Sequence, residues 1–273
     1  MQDKECLQKK IALDALERYS GSPATDFCSY LLITNFPKYV KIFAEKYDVP
    51  IYEGSAFKTA HCPSLDISII DFKFGSPAAA LLVDCIVHKP IKAALHLGMC
   101  GGLREEFNIG DYMVPVASIR DEGTSNFYFS QHVPAMANFL MQRSVSNILE
   151  ASNINFHIGI CYTTNKRFWE FNEGFKKRLA ETRAQGIEME SATLFSASYY
   201  YRLPMGALYL ISDLPFKSSG IKDKKISDSV FKNYAADHVD HGIDILQDVK
   251  ETLLQKPKKV FRGESMEEKM HNF

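Results

Sequence analysis

The sequence predicts an α/β fold in which helices flank a central sheet. Four apolar runs have the length of strands, and several are apolar nearly throughout, which is typical of strands covered on both faces. Segments with helical periodicity lie between these runs, and such alternation indicates an α/β sheet. The chain has 273 residues, of which 46% are hydrophobic and 24% charged, so we expect one domain with a single large core.

The elements are predicted in the following order. About the first 20 residues form an amphipathic helix, because leucines recur at helical spacing until Ser, Gly and Pro break the pattern. Strands are predicted at residues 30–33, 67–72, 93–97, 113–118, 157–161 and 207–211. Helices are predicted at residues 37–47, 78–87, 133–151, 191–201 and 227–252. Residues 214–225 are predicted to form a mobile loop, and residues 256–273 a polar, basic tail outside the core.

The composition narrows the functional classes. A formal net charge of −1 argues against a general nucleic-acid surface, and no apolar stretch approaches the ~20 residues of a membrane span. The first ten residues are charged rather than apolar, unlike a signal peptide. The six cysteines form no C-x-x-C pair, so we predict buried free thiols in a reducing compartment. Together these observations predict a cytoplasmic protein with neither a nucleic-acid nor a membrane partner.

Signals for metals and cofactors are weak. His238 and His241 have the i, i+3 spacing of zinc ligands on a helix. No third ligand is nearby in the sequence, so we predict no metal site. The chain also lacks the spaced G-x-G-x-x-G fingerprint of dinucleotide-binding folds, and we expect no cofactor.

Two glycine-containing segments are candidates for ligand contact. In residues 97–103 a buried strand runs into a glycine cluster, and glycines let a backbone approach a ligand closely. A tight turn between strands explains this segment equally well. In residues 74–78, Gly75 precedes a proline at a helix start, where free N–H groups can hold an anion or a sugar hydroxyl. Plain helix capping is the simpler interpretation of this second segment taken alone.

Three carboxylates stand where strands end. Glu188 and Glu190 lie at a strand–helix junction, and side chains two residues apart project the same way from an extended segment. A carboxylate can accept hydrogen bonds from both hydroxyls of a vicinal diol such as that of ribose, although acids there also complement the helix dipole. Asp213 ends an apolar strand, where a desolvated acid with a raised pKa can act as a general acid. A turn or helix-cap aspartate is the simpler interpretation of Asp213 taken alone.

Residues 162–169 combine hydroxyls, cations and aromatic rings. Hydroxyls and cations suit a phosphate, and aromatic faces suit a nucleobase. A solvated basic turn beside a core tryptophan is an equally good interpretation. The candidates are Thr163, Thr164, Lys166, Arg167, Phe168 and Trp169.

Taken together, these segments resemble the nucleoside phosphorylase/nucleosidase superfamily over roughly residues 29–250. The Glu-Met-Glu of residues 188–190 and Ser212-Asp213 are specific when combined with the glycine cluster. A closer resemblance is to the catalytic domain of the AMP nucleosidases. It is carried by LITNF at 32–36, HLGMCGGLR at 96–104, IGDY at 109–112, TTN at 163–165 and MESAT at 189–193. We expect a short form, without the additional N-terminal domain of the longer members.

The resemblance implies a mixed, partly barrelled central sheet flanked by helices, and a homo-oligomer that is usually a hexamer. It implies that Glu190 holds the ribose 2′- and 3′-hydroxyls, that Asp213 protonates adenine N7, and that an aromatic ring flanks the base. The catalytic pair is thus Asp213 and Glu190. The substrate-binding set is Gly75, Met99, Cys100, Gly101, Phe168, Trp169, Glu188, Met189 and Ser212. The candidates for binding the 5′-phosphate are Arg104, Thr163, Thr164, Lys166, Arg167 and the tail residue Arg262.

The resemblance implies hydrolysis of the N-glycosidic bond of AMP to adenine and ribose 5-phosphate, with a small-molecule nucleotide as the partner. Bacterial purine nucleoside phosphorylases hold orthophosphate with an Arg and a Ser where this chain has His96 and Met99. Because methionine cannot donate a hydrogen bond to phosphate, water is the expected nucleophile, although Lys38 is placed to meet a phosphate. The residue that activates water is not identifiable from the sequence.

Three alternatives stay open. A purine nucleoside phosphorylase would use phosphate in place of water. A methylthioadenosine/S-adenosylhomocysteine nucleosidase would need an apolar 5′ pocket, against which Lys166 and Arg167 argue. A nucleotide-binding sensor on the same fold would perform no chemistry, and the presence of both Glu190 and Asp213 argues against it.

Overall fold

The computed structural model describes residues 2–217 and 220–254, and these form one mixed ten-stranded sheet with seven α-helices around it. The helices are α1 (Gln2–Ser20), α2 (Pro37–Tyr47), α3 (Ser76–Ile86), α4 (Phe139–Ala151), α5 (Glu173–Glu181), α6 (Ser191–Tyr200) and α7 (Lys224–Leu254). The strands are β1 (Tyr30–Thr34), β2 (Ile51–Glu53), β3 (Lys58–Cys62), β4 (Ile67–Asp71), β5 (Ala93–Gly102), β6 (Tyr112–Asp121), β7 (Ala135–Met136), β8 (Phe156–Thr164), β9 (Gly186–Glu188) and β10 (Met205–Asp213).

Half of the sheet closes into a barrel. Strand β5 pairs in parallel with β10 and antiparallel with β9. The ring then closes through β10 with β6, β6 with β8, and β8 with β9. The other half of the sheet extends from β5 through β1, β4, β3 and β2. The predicted mixed, partly barrelled α/β fold is therefore confirmed.

The glycine cluster lies inside β5 and does not form the tight turn that was one interpretation of it. All ten residues of β5 are buried. A Cβ added at Gly98 would come within 2.8 Å of the Tyr209 ring, and one at Gly101 within 2.9 Å of Pro215. The glycines therefore let neighbouring elements approach a strand that is covered on both sides.

Two apolar layers cover the two faces of the sheet. One contains Leu82 of α3 and Phe195 of α6, and the other contains Phe43 of α2 and Ile245 of α7. Successive residues of β1 alternate between these layers, as the pleat of a strand requires. Both faces are thus filled by helices, and the carboxyl ends of β1, β4, β5 and β10 lie at one edge of the sheet.

The structure changes some of the predicted boundaries. The helix predicted at 133–151 begins at Phe139, because Asn138 caps it by accepting from the N–H of Leu140 and because β7 occupies the preceding residues. Short elements without a clear apolar pattern were not predicted, namely β2, β3, β7, β9 and α5. The predicted tail at 256–273, with Arg262, lies outside the described residues.

Two further expectations concern thiols and membranes. Cys6 is exposed and Cys28 is only partly buried, so the prediction of buried thiols was wrong at these two positions. Cys62, Cys85, Cys100 and Cys161 are free and buried. Within residues 2–217 and 220–254, no helix is both long and apolar enough to cross a membrane.

Candidate active site

The carboxyl end of β5 lies between the strands that carry the two candidate acids. Gly101 pairs with Ile187 of β9 on one side and with Asp213 of β10 on the other. Glu190 follows Ile187 by three residues. Two strand spacings separate β9 from β10 by about 10 Å, which is the scale of one nucleoside. Residues distant in the sequence are thus brought to one edge of the sheet.

Glu190 is a buried carboxyl group with defined hydrogen-bond partners. Its Oε1 accepts from the backbone N–H of Gly75 at 2.7 Å, and its Oε2 accepts from the N–H of Met189 at 3.2 Å. Asn35 lies near enough to lower its pKa. Burial, followed by the charge of Glu188, raises the pKa of Glu190 to about 8. The group therefore changes charge close to neutral pH.

The turn before α3 connects the glycine segment of residues 74–78 to the Glu-Met-Glu segment of residues 188–190. Gly75 has φ +90°, a conformation that favours glycine, and this aims its N–H at Glu190. Ser76 donates its hydroxyl to the carbonyl of Met189 at 2.7 Å. The N–H of Gly75 thus binds an anion, as one interpretation of residues 74–78 proposed, but the anion is a carboxylate of the protein itself.

Glu188 is satisfied entirely by the protein. Its Oε1 accepts from the hydroxyls of Thr163 and Ser191, and its Oε2 accepts from the N–H groups of Glu190 and Ser191. A carboxylate has about four acceptor positions, so none is left for a substrate. Burial raises the pKa of Glu188, and these hydrogen bonds oppose the shift. The geometry makes Glu188 the anchor of the backbone that carries Glu190.

Thr163 belongs to the same network. Besides donating to Glu188, its hydroxyl accepts from the N–H of Ala192 at 2.9 Å and contacts Ser118 at 2.7 Å. Its neighbour Thr164 accepts from the N–H of Lys166 at 3.2 Å. Both threonines are buried, and Thr163 has no free donor for a phosphate.

Asp213 lies on the opposite side of β5 from Glu190. The pairing register of β10 shifts between Ile211 and Asp213, and such an irregularity re-aims a side chain at the end of a strand. Ser212 donates to Oδ1 of Asp213 at 2.6 Å. Burial raises the pKa of Asp213, while Ser212, Lys222 and then Arg167 oppose the shift. A desolvated carboxyl group with one donor is suited to deliver a proton.

Lys222 is a site residue that the sequence did not reveal. Its Nζ lies 3.4 Å from Sδ of Met99, and its charge acts on Asp213. Burial lowers the pKa of Lys222, and Asp213 raises it. The only signal in the sequence was a lysine-containing loop, which is why the residue was assigned to a solvated segment.

The two candidate aromatic residues have different environments. Trp169 is buried and stacks in a tilted arrangement on Phe175, with ring centroids 5.5 Å apart. Phe168 is 71% exposed, has φ +58° and lies under the guanidinium of Arg167 at 5.6 Å. Phe168 is therefore the ring that is free to contact a base.

Arg104 lines the same cavity as Leu214, the residue after Asp213. It lines a cavity of about 820 Å³ together with Lys217, Leu179, Leu214 and Phe216, and neither Glu190 nor Asp213 lines that cavity. The remaining cations near residues 163–169 are Lys166, which is exposed, and Arg167, which lies 3.4 Å from Glu170. Lys38 lies over the ring of Phe231 at 5.4 Å.

His96 and His238 are buried, and burial lowers the pKa of both. His96 is fully buried, contacts the Tyr209 hydroxyl at 3.0 Å, and burial lowers its pKa to about 3. It therefore supplies no positive charge where the phosphorylases have an arginine. His238 uses both ring nitrogens, with the Tyr39 hydroxyl at 2.8 Å and the Leu208 carbonyl at 3.0 Å. It has no free nitrogen for a metal ion.

Comparison with curated proteins gives the family. A family model described as the phosphorylase superfamily matches residues 29–241. The AMP nucleosidase of Escherichia coli (strain K12) is 25% identical over 277 residues, covering 85% of this chain and 57% of the relative. The chain thus spans little more than half the length of that protein. The uridine phosphorylase of Thermococcus kodakarensis is 24% identical, covering 67% of this chain and 72% of the relative.

Solved structures agree with this assignment. The AMP nucleosidase from Bacteroides thetaiotaomicron superposes with a TM-score of 0.80 at 36% identity, covering 90% of this chain and 99% of that chain. The uridine phosphorylase from Vibrio fischeri superposes with a TM-score of 0.72 at 16% identity, which supports the fold alone. The chain therefore belongs to the phosphorylase superfamily and is a homologue of AMP nucleosidases.

Proposed function

We propose that this chain hydrolyses the N-glycosidic bond of AMP to give adenine and ribose 5-phosphate. The relatives from E. coli and B. thetaiotaomicron bear the name AMP nucleosidase. The observation that carries the proposal is the placement of Glu190 and Asp213 on the two sides of the end of β5. One acid then faces the sugar while the other faces the base.

The proposed chemistry follows from the charges that develop. Breaking the bond between C1′ and N9 builds positive charge on the ribose, which Glu190 stabilises in its ionised form. Negative charge builds on the departing adenine, and a proton from Asp213 to N7 neutralises it. General acid catalysis of this kind contributes about 10²–10⁴-fold in rate. A water oxygen then bonds to C1′ and releases its proton to solvent.

Hydrolysis is favoured over phosphorolysis by the residues along β5. His96 is neutral and Met99 has no donor, so neither supplies what orthophosphate needs. One observation favours the phosphorylase alternative, namely the ammonium group of Lys222 beside Met99. The 5′-phosphate is assigned to Lys166 and Arg167, the two cations beside the exposed Phe168. The proposal also places the enzyme in the cytoplasm, as one catalytic domain assembled into a homo-hexamer.

A product assay tests the proposal. AMP, adenosine and methylthioadenosine are each incubated with the full chain, with and without orthophosphate. Hydrolysis of AMP predicts adenine and ribose 5-phosphate at a rate independent of added orthophosphate. Turnover that requires orthophosphate would identify a phosphorylase. Preference for methylthioadenosine would identify a methylthioadenosine/S-adenosylhomocysteine nucleosidase. Binding without turnover would identify a sensor. Each of these three results would overturn the proposal.

A further inference from the structure

Glu170 is a buried carboxylate that the proposed chemistry does not use. It lies in the short 3₁₀ turn of Trp169–Phe171, which follows β8. Its side chain is only 5% exposed, whereas Phe168 and Phe171 on either side are 71% and 74% exposed. The segment therefore presents these two phenylalanines to solvent and directs the carboxylate of Glu170 into the protein.

One oxygen of this carboxylate has no partner. Oε1 lies 3.4 Å from Nη1 of Arg167, which is a long hydrogen bond. Oε2 is buried, and no group within residues 2–217 and 220–254 forms a hydrogen bond to it. Because a buried acceptor without a donor is unfavourable, Oε2 is an acceptor position that a ligand can fill.

The turn that carries Glu170 packs against the segment that follows Asp213. The ring of Trp169 meets that of Phe216 edge-on, with centroids 6.3 Å apart. Trp169 also belongs to the apolar cluster that contains Ile187 of β9. The turn thus covers the end of β5 between β9 and β10. Consistent with this placement, burial raises the pKa of Asp213 most, and the charge of Glu170 raises it further.

The edge of adenine that carries N7 fits these two acids. It presents N7, an acceptor, beside the 6-amino group, a donor. A protonated Asp213 can donate to N7, whereas a carboxylate only accepts hydrogen bonds. An acceptor beside Asp213 therefore matches the 6-amino group of adenine. The same acceptor would face the lone pairs of the oxygen that a 6-oxopurine carries at this position.

We propose that Oε2 of Glu170 accepts a hydrogen bond from the 6-amino group of the substrate and thereby selects adenine over 6-oxopurines. A site built to bond an N–H group rejects analogues that lack it, because its buried acceptor is then left unpaired. The inference rests on the proposed function only in requiring a purine ribosyl substrate whose N7 meets Asp213. It requires neither the 5′-phosphate nor water as the nucleophile.

The test compares three nucleotides that differ only at position 6 of the purine. Values of kcat/KM are measured for AMP, IMP and purine riboside 5′-monophosphate with the wild type and with Glu170→Gln. The amide of glutamine keeps the shape of the side chain and can donate to an oxo group as well as accept from an amino group. In the variant, the ratio of kcat/KM for AMP to that for IMP should fall about 10–100-fold. Purine riboside 5′-monophosphate has only hydrogen at position 6, so its change measures the effect of the lost charge on Asp213 alone.

Glu173→Gln is the matched control. Glu173 is three residues away, its side chain is 85% exposed, and its ion pair with Lys176 lies at the surface. This substitution should leave the preference among the three nucleotides unchanged. Equal changes for all three nucleotides in Glu170→Gln would overturn the inference, because Glu170 would then act only through Arg167 or Asp213. A wild type that turns over AMP and IMP equally well would overturn it without any variant.

Glu170→Asp covers the case in which Glu170→Gln does not fold. Aspartate also accepts without donating, but its shorter side chain weakens the bond, so kcat/KM for AMP should fall while AMP stays preferred over IMP. Loss of that preference would contradict the contact. If the product assay identifies adenosine or methylthioadenosine as the substrate, the same comparison is made with that compound and its 6-oxo and unsubstituted forms. If the product assay finds binding without turnover, values of Kd replace kcat/KM.

Discussion

The backbone N–H of Gly75 donates a hydrogen bond of 2.7 Å to Oε1 of Glu190, which is 115 residues away in the chain. The contact depends on the backbone conformation of Gly75, whose φ is +90°. A Cβ at this position would meet nothing closer than 3.9 Å, so the demand is conformational rather than steric. The orientation of the proposed diol-binding carboxylate therefore depends on one turn before α3.

Gly75→Ala is expected to lower activity through this turn. A side chain at positive φ costs about 1–2 kcal/mol, and relaxation of the turn would move the N–H away from Glu190. We expect a lower kcat/KM on AMP together with a modest loss in the free energy of unfolding. The control is Gly123→Ala, which also has positive φ, +80°, with nothing within 4 Å of the added Cβ. Equal effects of both substitutions on kcat/KM would contradict a special role for Gly75.

Asp213→Asn is expected to reduce turnover far more than binding. The amide has the shape of the carboxyl group but cannot deliver a proton, so kcat should fall by about 10²–10⁴-fold with little change in KM. Asp228→Asn serves as a control, because Asp228 is an exposed aspartate on α7. Steady-state kinetics on AMP make the measurement. If Asp213→Asn keeps the wild-type kcat, Asp213 is not the general acid.

The stability of the protein is expected to fall as Glu190 ionises. Its pKa is raised from 4.5 to about 8 in the folded state, so the folded state holds this proton more tightly than the unfolded chain. The stabilising effect is complete below the unfolded pKa and is lost as the pH rises through about 8. Unfolding by urea at several pH values should therefore show wild type losing stability relative to Glu190→Gln between pH 4.5 and 8. A constant difference across this range would show that Glu190 has an ordinary pKa.

Much of the fold could be predicted because its main strands are apolar on both faces. β1 and β4 were placed to within one residue for this reason. The second half of β5 was ambiguous, because glycines are typical of turns as well as of strands under close packing. Only the tertiary neighbours, Tyr209 and Pro215, decide between the two.

The site could be predicted in its residue types but not in the division of roles. Glu188 and Glu190 are equivalent in the sequence, and hydrogen bonds from residues as distant as Gly75 and Thr163 distinguish them. The sequence did not reveal Lys222 as a site residue, because lysines in loops are usually solvated.

Thr163→Val is expected to destabilise the protein. The hydroxyl of Thr163 bonds to Glu188 and Ala192 inside the barrel, and its loss leaves buried groups unpaired at about 1–3 kcal/mol. The free energy of unfolding measures this effect. Thr164→Val is the matched control, because the hydroxyl of Thr164 accepts only a local bond from Lys166 at 3.2 Å. If Thr163→Val instead keeps full stability and weakens the binding of AMP but not of adenosine, Thr163 binds the phosphate. The assignment of Thr163 to the Glu188 network would then be wrong.

Lys166→Ala and Arg167→Ala test where the 5′-phosphate binds. Removing a cation that contacts the phosphate should raise KM for AMP by about 10-fold more than KM for adenosine, because ionic hydrogen bonds contribute about 1.5–3 kcal/mol. The comparison between the two substrates matters most for Arg167, since its charge also lowers the pKa of Asp213 and its removal would alter both reactions. Lys177→Ala, on the exposed face of α5, is the control for a simple loss of charge. Equal changes for AMP and adenosine in both variants would show that the phosphate binds elsewhere, for example at Lys222.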